Sequence, residues 1–173
     1  MTSCDSVQRW IAIAVIALIT AGLTACGGAN KPSSAKLNAS FAQRVNGVCA
    51  RALAQYEANG PFPYPQFRPL HPDPRLLPRV GAFLARNQPA AQAIPAQMRA
   101  LGEPTAAKAQ WDHVRGLIAQ AEASAARQVA FAKTSNAAGF AGESKTANRL
   151  HDTITAEGRA LGFSKSSPCS NVF

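Results

Sequence analysis

Residues 40–60, SFAQRVNGVCARALAQYEANG, are the stretch on which the fold turns. Phe41, Val45, Val48, Cys49, Ala52, Leu53 and Tyr56 recur at steps of three and four, the spacing that places side chains on one face of an α-helix. The stretch therefore reads as an amphipathic helix, with Ser40 as its N-cap and Gly60 as its terminator. Cys49 falls on the apolar stripe, so it points into whatever core forms.

The same period returns three times downstream. Asp73-Pro74 reads as a cap and first-turn pair for a second helix whose Leu76, Leu77, Val80, Phe83, Leu84, Ile94 and Met98 face inward. Pro89 and Pro95 lie within it and are expected to kink or interrupt it. A third helix is expected from about Thr105 to Lys133, with Trp111, Val114, Ile118, Ala121 and Ala125 on one face and a Lys108–Asp112 pair on the other. After a loop over 136–142, a fourth helix with Ala147, Leu150, Ile154 and Leu161 inward runs to Leu161. Gly162 then supplies a left-handed stop, and Phe163 packs back on the helix.

No segment alternates as a strand does, and no repeat occurs. The composition is 47% hydrophobic and rich in alanine, which favours helices that approach closely. The expected fold is all-α, a four-helix-bundle-like domain over 40–173.

Between the first two helices lies GPFPYPQFRPLHPDP, residues 60–74, with six prolines in fifteen residues and Phe62, Tyr64 and Phe67 among them. Prolines at this density forbid helix and suggest an extended, polyproline-like strap. The strap either packs its rings over the bundle or presents Phe62, Tyr64 and Phe67 to a partner or ligand.

Upstream of the bundle the chain changes character. Residues 1–9 carry a modest positive end, and Trp10 to Leu23 form an apolar run of 14 residues, short for a bilayer span and suited to a signal peptide. Leu23-Thr24-Ala25-Cys26 follows and looks like a bacterial lipobox. That likeness implies alkylation of the Cys26 thiol with diacylglycerol and cleavage after Ala25, with further acylation (palmitate is typical) of the new amine left open. Two acyl chains hold a protein to a membrane stably where one does not. Residues 26–39, rich in Gly, Ser, Ala and Asn, read as a flexible tether.

Position also sorts the cysteines. Cys4 is discarded with the signal and Cys26 is lipidated, which leaves Cys49 and Cys169 near the two ends of the domain. Export to an oxidising compartment favours a disulfide between them over two buried thiols.

Lys and Arg outnumber Asp and Glu by 18 to 9 over the chain; the signal removes Arg9 and Asp5, leaving 17 against 8. A surplus of +9 favours anionic lipid headgroups or acidic wall polymers as contacts. The arginines are dispersed and no nucleic-acid motif accompanies them, which argues against nucleic acid as partner.

Chemistry-bearing patterns are sparse. His71, His113 and His151 lack the neighbours of a zinc motif. Gly22 to Gly28 lacks the Lys-Ser/Thr of a phosphate loop, and no Gly-x-Ser-x-Gly elbow occurs. Glu57, Asp73, Glu103, Asp112, Glu122, Glu143, Asp152 and Glu157 are explained by capping and charge pairing. The expectation is a protein that is not an enzyme and uses no cofactor or metal.

Phe41-x4-Asn46-x2-Cys49 on the first helix, and Leu161-Gly162-Phe163 followed by Cys169 at the end, together resemble a group of small exported actinobacterial helical proteins of mycobacterial type. Many of these are lipoproteins of unassigned function. The resemblance covers roughly residues 40–170. It implies a four-helix bundle with its near-terminal cysteines joined, and brings no catalytic residues. The proline-aromatic strap, Pro89 and Pro95 depart from the pattern. The expected role is a membrane-anchored extracytoplasmic lipoprotein that binds an envelope protein, wall polymer or anionic lipid. The alternative is a carrier or sensor of a small apolar ligand held between the helices, with Phe62, Tyr64, Phe67, Phe83 and Trp111 lining the groove.

Overall fold

A computed structural model describes residues 35–171; the lipobox, Cys26 and the tether up to residue 34 lie outside the described residues. Four antiparallel helices follow one another, α1 (Ala39–Ala58), α2 (Leu77–Ala100), α3 (Lys108–Lys133) and α4 (Ala137–Ala160), and a short 3-10 turn closes the described chain at Pro168–Asn171. The all-α expectation holds. Successive helices pack as hairpins, and α1 is held by α2 on one side and by the 3-10 turn on the other.

Several boundaries differ from the expected ones for identifiable reasons. Asn38, not Ser40, caps α1: its Oδ1 accepts the Phe41 amide at 2.8 Å, and the Ser40 hydroxyl donates to the same oxygen at 2.9 Å. The folded part also begins before residue 40. Leu37 is buried, its amide donates to the Leu161 carbonyl at 3.1 Å, and Asn38 Nδ2 donates to Thr105 Oγ1 at 2.9 Å. The last residues assigned to the tether are therefore docked on the bundle.

Asp73 organises a turn ahead of α2, accepting the Arg75 amide at 2.9 Å; the helix itself starts one turn later, with Pro78 in its first turn. Pro89 and Pro95 do not interrupt α2, which runs unbroken through both. In place of a loop over 136–142, Asn136 caps α4 directly, its side chain accepting the Gly139 amide at 2.8 Å. This puts Phe140 on the helix, where it is buried.

The end of α4 matches its expected stop. Gly162 has φ +101°. Its amide donates to the Arg159 carbonyl and that of Phe163 to the Gly158 carbonyl, each at 3.0 Å, the two bonds of a Schellman motif. Phe163 packs on the core.

The core has two centres. One gathers Phe41, Val45, Val48, Cys49, Ile94, Met98, Trp111, Ile118, Ile154 and Leu161 from all four helices, at the end where the described chain begins. Phe41 meets Trp111 edge to face at 5.3 Å. The other gathers Phe67, Leu77, Val80, Ala132 and Phe140 at the strap end. Between the centres a polar clamp joins α3 to α4: Glu143 accepts from buried Ser124 at 2.8 Å and from Arg127 at 2.7 and 3.1 Å. These bonds, Arg127's first, hold the Glu143 carboxyl below its ordinary pKa.

Candidate functional site

Cys49 and Cys169 are joined, with an S–S distance of 2.12 Å and 120 residues between them. The turn at Pro168–Asn171 brings Cys169 onto the middle of α1, so the C-terminal tail crosses from the end of α4 to α1.

The strap is not extended. Three turns fold it, with Phe67 N–H donating to the Tyr64 carbonyl at 2.9 Å, His71 N–H to that of Arg68 and Leu76 N–H to that of Asp73, both at 3.0 Å. Proline removes donors and fixes φ, but the non-proline residues keep their amides, and these close the turns. Phe62 meets Phe83 at 5.3 Å and Tyr64 at 5.6 Å, and Phe67 meets Phe140 at 5.6 Å. Phe67 is buried, while Phe62 and Tyr64 are half-buried. The three strap rings thus close one end of the bundle and show part of two rings to solvent.

Around those rings the surface is basic. Arg68, Arg75, Arg79, Arg86 and Lys133 are exposed, and none of them forms an ion pair among the described residues. The acidic residues there are Asp73 and, at the end of α1, Glu57. Arg86 lies over the Phe83 ring, 5.4 Å from its centre. Near the other end of the bundle Lys108 bonds Glu103 at 2.9 Å and Asp112 at 3.2 Å, and Arg115 also binds Asp112. The Arg115 bond, followed by that of Lys108, lowers the Asp112 pKa.

Trp111 does not join the strap rings. It belongs to the other core centre, so the groove expected from Phe62, Tyr64, Phe67, Phe83 and Trp111 does not form. A different apolar groove opens beside Trp111, between α1, α3, α4 and the C-terminal tail. Val45, Val114, Ile154, Thr155 and Phe163 line it, with Arg159 and Lys165 among its charged members, and it encloses about 30 Å³. Trp111 is 1% exposed, and its Nε1–H has no acceptor among the described residues. An orphaned buried donor costs about 1–3 kcal/mol. The returning Cys169 pointed to this seam in the sequence; Thr155 and Arg159 carried no local signal.

The titratable groups moved by burial lie apart from both places of interest, with one exception. Burial, then the nearby Glu122, pushes Tyr56 up to about 12, and burial raises Glu122 itself. His151 is lowered by burial, and its Nε2 stands 3.5 Å from Thr155 Oγ1 at the groove wall, the outer limit of a hydrogen bond. His71 and His113 are exposed. Among the described residues no three His, Cys, Asp or Glu side chains come together as a metal site, and no helix is long and apolar enough to cross a membrane. No family model, curated protein or solved structure matches the chain.

Proposed function

We infer that the chain is a lipid-anchored, non-catalytic envelope module, held through Cys26 on the outer face of the membrane, whose strap end docks an anionic partner such as a wall polymer or an acidic protein surface. The observation that carries this reading is the strap end itself, where Arg68, Arg75, Arg79, Arg86 and Lys133, exposed and in no ion pair among the described residues, lie at the same end of the bundle as half-buried Phe62 and Tyr64. Unpaired cations beside partly exposed aromatic rings are the composition of a contact surface for anionic groups.

Placement supports the same reading. The described chain starts at one end of α1 and the strap follows its other end, 20 helical residues away, or roughly 30 Å at 1.5 Å per residue. A tether joined at the first end leaves the strap at the end of the bundle farther from the point of attachment.

The test is photo-crosslinking in cells making the full chain, with a benzophenone amino acid at Tyr64 and, as control, at exposed Gln120 on α3. Discrete adducts at position 64, absent at 120 and lost when Arg68, Arg75 and Arg79 are changed together to Glu, are the expected result. Equal adduct patterns at both positions, or adducts indifferent to the charge reversal, contradict it.

A further inference from the structure

We propose that the strap end docks an acidic protein surface that carries apolar side chains between its carboxylates, and not a purely charged polymer. This rests on the reading of the strap end as a contact surface for an anionic partner and names that partner's class.

The apolar part of the surface is gathered on one support. Phe62, Tyr64, Leu76, Leu84 and Phe131, all partly buried, pack against the single buried cluster of Phe67, Leu77, Val80, Ala132 and Phe140. They come from the strap, from the start of α2 and from the last turn of α3, so their outer parts share one end of the bundle. Apolar side chains collected in this way and left in contact with water mark a surface that a partner covers.

The cations are interleaved with that rim. Arg68 adjoins Phe67, Arg75 adjoins Leu76, Arg79 adjoins Val80 and Lys133 adjoins Ala132 in the chain, and Arg86 stands two residues from Leu84 with its guanidinium over the Phe83 ring at 5.4 Å. Four of the five are arginines, whose planar fork meets a carboxylate through two parallel N–H donors.

This mixture decides between partners. Aromatic side chains together with arginine are enriched at protein interfaces and at their energetic centres. A carboxylated polymer without apolar groups engages the cations alone and leaves the rings wet. An acidic protein surface meets both requirements, its carboxylates reaching the arginines and its apolar side chains covering Phe62, Tyr64 and Phe131. The strap offers no edge to which a peptide could add as a strand, because turns fold it and Pro61, Pro63 and Pro65 have no amide to donate. Recognition therefore runs through side chains. Phe62 is held by Phe83, Tyr64 and Phe67 at 5.3, 5.6 and 6.1 Å, so the rings lose little freedom on docking.

The full chain, recovered from membranes and held in neutral lipid nanodiscs, is titrated with three polyanions at matched carboxylate concentration and moderate salt: a glutamate–tyrosine copolymer, polyglutamate and polygalacturonate. The copolymer is expected to bind about tenfold more tightly than either of the others, the scale of one or two buried anchor side chains. Tyr64→Ser should bring the copolymer down toward polyglutamate and leave polyglutamate binding unchanged. Changing Arg68, Arg75 and Arg79 together to Glu should abolish binding of all three. Equal binding of copolymer and polyglutamate by the parent chain, or tighter binding of polygalacturonate, overturns the proposal and leaves the anionic contact surface standing. Binding of none of the three, or binding indifferent to the charge reversal, removes both. Should Tyr64→Ser not fold, the comparison of the three polymers on the parent chain decides.

Discussion

Cys49 on α1 is bonded to Cys169 in the C-terminal 3-10 turn, with Cα atoms 5.0 Å apart across 120 residues of chain. A closure of that length restricts the unfolded chain by about 5 kcal/mol in the loop-entropy treatment. Replacing both cysteines by serine should therefore lower the unfolding free energy by several kcal/mol in urea titrations, and reductant should do the same to the parent protein. A change below about 1 kcal/mol in both experiments would mean that the bond adds little to a bundle already held by its core.

Close helix approach makes a second prediction. A Cβ at Gly81 would stand 2.8 Å from the Ala132 Cβ and 3.5 Å from the backbone of Ala132 and Lys133, whereas one at Gly116 would meet nothing within 4 Å. Both glycines lie inside helices, where alanine is intrinsically favoured by about 1 kcal/mol. At Gly81 overpacking of about 1–3 kcal/mol opposes that gain, with backbone on the far side unable to yield. Gly116→Ala should raise Tm and Gly81→Ala should lower it; the reverse order would refute the close α2–α3 contact.

The cap of α1 can be tested in the same way. Asn38→Ala removes the acceptor of the Phe41 amide and the donor to Thr105, so it should cost about 1 kcal/mol, while Ser40→Ala should stay within about half of that. Thermal unfolding of the two variants distinguishes them. Equal losses would restore Ser40 as the cap.

Burial lowers the His151 pKa below its ordinary 6.5, against a smaller raising effect of Asp152. The unfolded chain then holds more protons at this side chain than the native one just below pH 6.5. Native stability should accordingly fall as pH drops through about 6.5 and continue falling until the lowered native pKa is passed. His151→Gln should remove this part of the slope between pH 7.5 and 5.5. An identical slope in parent and variant, measured as Tm against pH, would assign it to another group.

The sequence conveys periodic features well and interrupted ones poorly. The stripe from Phe41 to Tyr56 and the Gly162–Phe163 stop are local patterns, and α1 and the end of α4 follow them closely. The start of α4 was obscured by Gly139 and Gly142, which read as loop. Asn136 caps the helix there, and Gly139 faces the Phe131 ring so closely that an added Cβ would stand 2.5 Å from it. Pro89 and Pro95 signalled breaks, yet α2 is continuous. The candidate surfaces were legible in part. Phe62, Tyr64 and Phe67 stood out by composition, but the arginines gathered around them are scattered in sequence, and the groove assembles Val45, Trp111 and Arg159 from three helices that only folding brings together.

The central claim is that Cys26 anchors this bundle, and the mass of the N-terminal peptide of the protein recovered from its own membranes tests it most directly. Lipoprotein processing predicts a chain that begins at Cys26 with a diacylglycerol thioether, and a Cys26→Ser variant that takes up no acyl label while keeping the Cys49–Cys169 bond. A chain that retains residues before Cys26, or a Cys26 recovered as an unmodified thiol, would contradict it.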